Sequence, residues 1–169
     1  MRSNMQIRRM AIEDVSQVVE IYDRVYDSTY VSFGELACGL ADRSGLPVQN
    51  AVEIFREEVL RLINCSQEKE GGFVAIVEGK VTGFALASLK ETDAGHFECW
   101  LEDLGVLPDS QGRQIGRQLV DRVIEWGCQE NAQYFLLESG FKNDRAHRFF
   151  ESSGFHPLAI VFHRVASLP

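Results

Sequence analysis

A chain of 169 residues, 45% hydrophobic and 25% charged, can bury one sizeable core and has the balance of an ordinary globular domain. Its net charge of −8, with a pI near 5.0, argues against nucleic acid as the main partner and suits cationic small molecules. No apolar run approaches the ~20 residues of a membrane span, and MRSNMQIRRM has no apolar signal-peptide core, so no membrane partner is expected and the expected location is cytoplasmic.

Met5–Met10 reads as a short first strand. From Glu13 to about Tyr26, the residues Val15, Val18, Val19, Tyr22, Val25 and Tyr26 recur at helical spacing and predict an amphipathic helix. Asp27–Leu46 is rich in Ser and Gly and predicts a loop holding at most a short helix. A second helix begins between Pro47 and Asn50, where Asn50 and Glu53 fit a capping box. Val52, Phe55, Val59, Leu62 and Ile63 line its apolar face. Gln67–Gly72 reads as a polar linker. Phe73–Val77 and Val81–Leu89 predict strands around the turn Glu78-Gly79-Lys80. A turn at Glu91–Gly95 then leads into a third strand, completing an antiparallel meander.

That third strand opens the stretch around which the chain is organised, Glu98–Val120 (ECWLEDLGVLPDSQGRQIGRQLV). Trp100, Leu101, Leu104, Val106 and Leu107 form an apolar run stopped by Pro108, and Glu102 and Asp103 sit inside it. Because a strand alternates its faces, one carboxylate is expected on each side. A carboxylate in an apolar strand costs several kcal/mol unless it is paired or useful. The loop DSQGRQIG feeds an amphipathic helix, Ile115 to about Gln129. A glycine-bearing loop opening a helix aims backbone N–H groups and the positive dipole end at one point, which suits phosphate.

Tyr134–Glu138 (YFLLE) is almost wholly apolar, so it predicts a strand buried on both faces. Asn143 can cap the next helix and Gly154 can end it. Pro157–Val165 (PLAIVFHRV) predicts a last strand. Cys38, Cys65, Cys99 and Cys128 are far apart and read as free buried thiols in a reducing compartment. His96, His147, His156 and His163 lack metal spacing, so no metal is expected.

LEDLGVLPDSQGRQIGRQLV resembles the strand–loop–helix core of the GNAT superfamily of N-acetyltransferases, whose loop reads Arg/Gln-x-x-Gly-x-Gly/Ala. Gln111-Gly112-Arg113-Gln114-Ile115-Gly116 follows it, with Gln114 at the first glycine of that pattern. ESGFKNDRAHRFFESSGF resembles a second family segment through Asn143, Ala146, Phe149, Gly154 and Phe155. The resemblance implies one domain over residues 1–169, an α/β fold with a mixed sheet of about six to seven strands and about four helices, and acetyl-coenzyme A as cosubstrate. The implied acceptor is a primary amine, of a small cationic molecule as the acidic balance suggests or of a protein.

By resemblance, Glu102 is the base that relieves the amine of its proton. Glu98 and Asp103 are alternatives, and a structural ion pair is the other role open to Glu102. Leu104, Gly105 and Val106 are expected to meet the thioester through backbone N–H groups. Gly105 suggests a bulge or close ligand approach, or else plain tight packing. Gln111, Gly112, Arg113, Gln114, Ile115, Gly116 and Arg117 are expected to hold the diphosphate, although Arg113 and Arg117 could equally face solvent. Asn143 is expected on the pantetheine arm, or as a cap alone. Phe150 stands where relatives often carry a proton-donating tyrosine. The short stretch after Phe155 implies a sheet completed by a second copy in a homodimer. An acyl-coenzyme A-binding regulatory module with weak or lost catalysis is the alternative function.

Overall fold

The computed structural model describes residues 5–64 and 69–166. Cys65, Gln67 and Glu68 lie outside the described residues. Two compact units divide the chain. The first joins the described residues up to Val25 with Val52–Leu137, and the second joins Tyr26–Ala51 with the described residues from Glu138 onward.

The first unit is a mixed sheet of five strands in chain order: β1 Met5–Arg9, β2 Glu70–Val77, β3 Lys80–Glu91, β4 Phe97–Val106 and β5 Ala132–Leu137. The first four pair antiparallel and β5 joins β4 in parallel. Val77 pairs with Lys80, so the β2–β3 loop is only Glu78-Gly79. Both residues are left-handed, at φ 53° and 78°, as a two-residue hairpin of matching twist requires.

Helices α1 (Val15–Val25), α3 (Ala51–Asn64) and α4 (Ile115–Gln129) cover the sheet, and a short 3-10 turn, Ile12–Asp14, precedes α1. Alternation along β3 puts them on opposite faces. Gly83 lies against Ile115 and Leu119 of α4, whereas its neighbour Phe84 meets Phe55 of α3. Phe55 in turn stacks on Tyr22 of α1, with ring centroids 3.8 Å apart and planes within 5°. Phe55, Val59 and Leu62 are the buried stripe of α3, while Val52 and Ile63 are half-buried.

In the second unit, α2 (Phe33–Cys38) is the short helix that the Ser- and Gly-rich stretch left room for. Ser32 accepts from the Gly34 N–H, the Glu35 carboxylate accepts from the Ser32 N–H, and Gly39 closes the helix at φ 80°. α5 (Asp144–Ser152) completes the described elements.

Several expectations change. Glu70, Gly71 and Gly72, read as part of a polar linker, open β2, with both glycines buried. Pro157–Val165 forms no strand, and Leu158, Ile160 and Phe162 are 86%, 65% and 91% exposed, so the described sheet has five strands. The continuous apolar run of β5 is not buried on both faces. β5 ends the sheet order, beside β4 alone, and Tyr134 is 55% exposed. Among the described cysteines only Cys99 is buried, because Cys38 and Cys128 lie on outward helix positions; Cys65 lies outside the described residues.

Candidate active site

β4 is not a regular strand. Ala87 pairs with Leu101, but Leu86 pairs with Asp103, which leaves Glu102 as an extra residue in a β-bulge. Before the bulge, Ser88 and Lys90 pair with Trp100 and Glu98; beyond it, Leu86 and Phe84 pair with Asp103 and Gly105. These β3 partners are spaced by two and share the α3 face. Glu102 joins that face through its own contacts, with the Ser88 hydroxyl donating to Oε1 at 2.5 Å and Lys90 Nζ at 3.1 Å from the same oxygen. The expected separation of Glu102 and Asp103 onto opposite faces is therefore corrected: the bulge cancels one alternation. Asp103 is buried and Glu102 exposed.

Gly105 is not at the bulge, which lies three residues earlier. A Cβ there would come within 2.4 Å of the Phe84 ring, so close packing against Phe84 requires glycine. The parallel pairing with β5 ends at Leu101–Leu137. From Glu102 to Val106 the strand keeps β3 on one side and has no strand on the other among the described residues. This is the stretch where Leu104, Gly105 and Val106 were expected to meet a thioester.

A cavity of about 310 Å³ opens on the α3 face, lined by Glu58, Arg61 and Leu62 of α3, Glu70 of β2, Leu86, Ser88, Leu89 and Lys90 of β3, and Glu102. Arg61 and Glu70 are 3.2 Å apart. The Trp100 indole N–H donates to Glu98 at 2.9 Å, and Lys90 Nζ stands 4.6 Å from the centre of the Trp100 ring. On the other face of β4, burial, Cys128 and Glu102 push the Cys99 thiol up to about 12, so it stays a neutral thiol and no nucleophile.

The loop after β4 is anchored at both ends. Leu107 N–H donates to Thr82 at 2.9 Å, and the Gln111 side chain donates to the Val106 carbonyl at 3.2 Å. Ile115 is buried, Gln111 and Gly116 are half-buried, and Gly112, Arg113, Gln114 and Arg117 are exposed. The first helical bond of α4 runs from Gln118 N–H to the Gln114 carbonyl. The N–H groups of the first turn precede it and have no helical acceptor. Arg117 pairs with Asp121 one turn on, at 3.2 Å.

Gln114 holds the N-cap position at φ 62°, and its side chain caps nothing. The left-handed conformation costs a side-chain-bearing residue about 1–2 kcal/mol, which glycine avoids at some entropic cost. Gln114→Gly should therefore stabilise the protein by about 0.5–1 kcal/mol, a rise of roughly 1–4 °C in Tm by calorimetry. A lower Tm would mean that the Gln114 side chain stabilises the loop.

Asn143 and Phe150 belong to the second unit. Asn143 caps α5, its side-chain oxygen accepting from the Ala146 N–H at 3.1 Å. Phe150 lies edge-on between Phe149 and Phe155, with centroids 5.2 and 5.9 Å away.

The family model described as the acetyltransferase (GNAT) family matches residues 41–155. The chain belongs to the GNAT acetyltransferase family. An uncharacterized N-acetyltransferase of Archaeoglobus fulgidus is 26% identical over 155 residues, covering 88% of this chain and 90% of its own. A tetramutant protein of Bacillus halodurans, solved by X-ray methods, superposes with a TM-score of 0.77 at 19% identity over 95% of this chain and 99% of its own. An aminoglycoside N-acetyltransferase, AAC(6')-Iy, solved in complex with CoA, gives 0.69 at 19% identity over 99% and 98%. At those identities the two structures speak for the fold alone.

As a GNAT acetyltransferase, the protein takes its acetyl group from acetyl-coenzyme A. The residues present suit that cosubstrate. Gly112 has nothing within 4 Å of a would-be Cβ, and the exposed first turn of α4 leaves room for a diphosphate beside Arg113. The residues that sequence reasoning missed are Ser88, Lys90 and Trp100 around Glu102. A register counted back from the Glu91–Gly95 turn pairs Lys90 with Glu98, but the bulge that brings Lys90 to Glu102 has no local sequence mark.

Proposed function

We propose that this chain, as a single GNAT domain over residues 1–169, moves the acetyl group of acetyl-coenzyme A to an amine of a cationic acceptor, with Glu102 as proton acceptor. The observation that carries this reading is the Glu102 carboxylate at the wall of the cavity, beside the stretch of β4 that β5 leaves uncovered. An alkyl ammonium has a pKa near ~10.4, so at pH 7 only about one molecule in 10³ carries the neutral nitrogen that attacks a thioester. Removing that obstacle takes roughly 4–5 kcal/mol, and a carboxylate within hydrogen-bond reach supplies the acceptor. Backbone N–H groups around Leu104, Gly105 and Val106 stabilise the charge that grows on the carbonyl oxygen. Gln111–Arg117 hold the phosphates.

Phe150 has no proton to give. A thiol of pKa near ~8.5 leaves tolerably as thiolate without one. A cationic acceptor is supported by Glu58, Glu70 and Glu102 outnumbering Arg61 and Lys90 on the cavity wall, and by the net charge of −8. The similar aminoglycoside acetyltransferases agree with this direction. A free exposed thiol at Cys128 accords with a reducing cytoplasm.

The test is thiol release from acetyl-coenzyme A with sisomicin, spermidine, glucosamine 6-phosphate and a lysine peptide. Turnover is expected with sisomicin or spermidine and least with the phosphate-bearing sugar. Tm elevation by acetyl-coenzyme A with no turnover on any amine points instead to a coenzyme A-binding module.

The exposed apolar segment Pro157–Val165 supports a homodimer in which it packs on a second copy. Light scattering at tens of micromolar should give twice the chain mass, and deletion of 157–169 should give the monomer. A full-length monomer at that concentration overturns the dimer.

A further inference from the structure

We propose that Lys90 is an acetyl acceptor of this enzyme, so that the protein acetylates its own side chain when no free amine fills the cavity. This rests on Glu102 as proton acceptor. An acceptor nitrogen must lie within about 2.6–3.2 Å of that carboxylate to hand over its proton directly. Lys90 Nζ already lies there, 3.1 Å from Glu102 Oε1. Its backbone is not opposite Glu102, because Lys90 pairs with Glu98. The side chain runs back across the Trp100 ring to reach the bulge, and the ring face holds the ammonium at 4.6 Å. The amine is thus aimed into the cavity by two contacts on one strand. Lys69, Lys80 and Lys142 are exposed and make no ion pair among the described residues.

Tethering sets the rate advantage. An amine held beside the base is present at an effective concentration in the millimolar range or above, without diffusing in. In the step, the Lys90 ammonium gives one proton to Glu102. The neutral nitrogen attacks the thioester carbonyl carbon, the N–C bond forms and the C–S bond breaks. The coenzyme A thiolate leaves and takes the second nitrogen proton, while Glu102 returns the first to water. The product is a neutral acetyl-lysine that has lost both its ion pair with Glu102 and its attraction to Trp100. Its acetamide stays on the cavity wall and competes with incoming amines, so the modification limits the enzyme's own activity.

The experiment incubates the folded full-length protein with acetyl-coenzyme A alone and follows each lysine by peptide mass spectrometry. Lys90 should gain acetyl at least about tenfold faster than Lys69, Lys80 and Lys142, which serve as internal controls for uncatalysed acetylation. In Glu102→Gln, checked for folding by calorimetry, Lys90 should fall to the rate of those three. Lys90→Arg keeps the charge and should give no label at that position. Equal rates at all four lysines, or no label at Lys90, overturn the inference. The same amine panel, run with Lys90→Arg, judges the parent reading separately. Glu102-dependent turnover of a free amine without label on Lys90 defeats this inference and leaves the function standing. Label on Lys90 with no turnover of any free amine keeps the inference and defeats the free-acceptor reading.

Discussion

Glu102→Gln should lower turnover at neutral pH by roughly 10²–10⁴-fold, the usual contribution of a positioned base. Glutamine keeps the shape and the hydrogen bond to Ser88 but accepts no proton. The loop Gln111–Arg117 proposed to hold the phosphates lies elsewhere in the first unit, so affinity for acetyl-coenzyme A should change little. Stability should also change little. The Lys90 and Glu102 side chains are 53% and 37% exposed, and a pair so open to water is worth about 0–1 kcal/mol. A structural role for Glu102 therefore predicts near-normal turnover, whereas a chemical role predicts a large loss in a protein that melts almost as the parent does. The loss should shrink as pH rises, because more of the amine is then neutral before it binds. The deciding measurement is the pH–rate profile of the folded variant. An unchanged profile with normal turnover removes Glu102 from the chemistry.

The largest effect on stability should come from Asp14→Asn. Asp14 is buried, and Arg8 grips it with two hydrogen bonds of 2.6 and 2.8 Å. The Ala11 N–H donates to the same carboxylate at 2.8 Å, so one side chain joins the end of β1 to the turn before α1. Breaking a fully buried pair costs about 3–5 kcal/mol. Arg8 is 36% exposed, so the cost here should be smaller, about 2–3 kcal/mol. Burial alone raises the Asp14 pKa, but the Arg8 hydrogen bonds, the Ala11 N–H and the Arg8 charge outweigh it and hold the carboxyl below its usual value.

A depressed folded pKa means that the unfolded chain takes up the proton first. The Asp14 contribution is thus fully present above the unfolded value of ~3.9 and is lost as pH falls through the folded one. The Arg8 pKa is raised, chiefly by its hydrogen bond to Asp14, so its share is lost only above the alkaline range in which proteins are handled. Urea unfolding at pH 7 and pH 3 should show the parent losing more stability on acidification than Asp14→Asn does. Equal losses would mean that Asp14 carries no pH-dependent stability.

Local pattern and register were unequally legible in the sequence. The bounds of α4 at Ile115 and Gln129 could be read directly, because Ile115, Leu119, Val120, Val123 and Trp126 repeat at helical spacing and end up buried. The β2–β3 turn was legible, read as Glu78-Gly79-Lys80 with one residue too many, because left-handed residues are a local demand. The bulge at Glu102 was not, because register depends on the partner strand and the letters E-D look the same in a regular strand. Apolar content misled at β5 and at Pro157–Val165. Composition reports which side chains prefer burial, and it does not report whether a neighbour exists to bury them.

The extra residue in β4 also makes the strand's length, and not only its letters, part of the site. Deleting one residue from Leu101 to Asp103 removes the bulge while the pairings on both sides keep their register, so what is lost is the extra residue that sets Glu102 beside Ser88 and Lys90. An insertion there leaves two unpaired residues in β4 where there is now one. Loops of this chain, such as Glu91–Gly95, should accept changes in length that the ten residues of β4 refuse. Descendants of this sequence can vary by substitution along β4, but they cannot be spliced there.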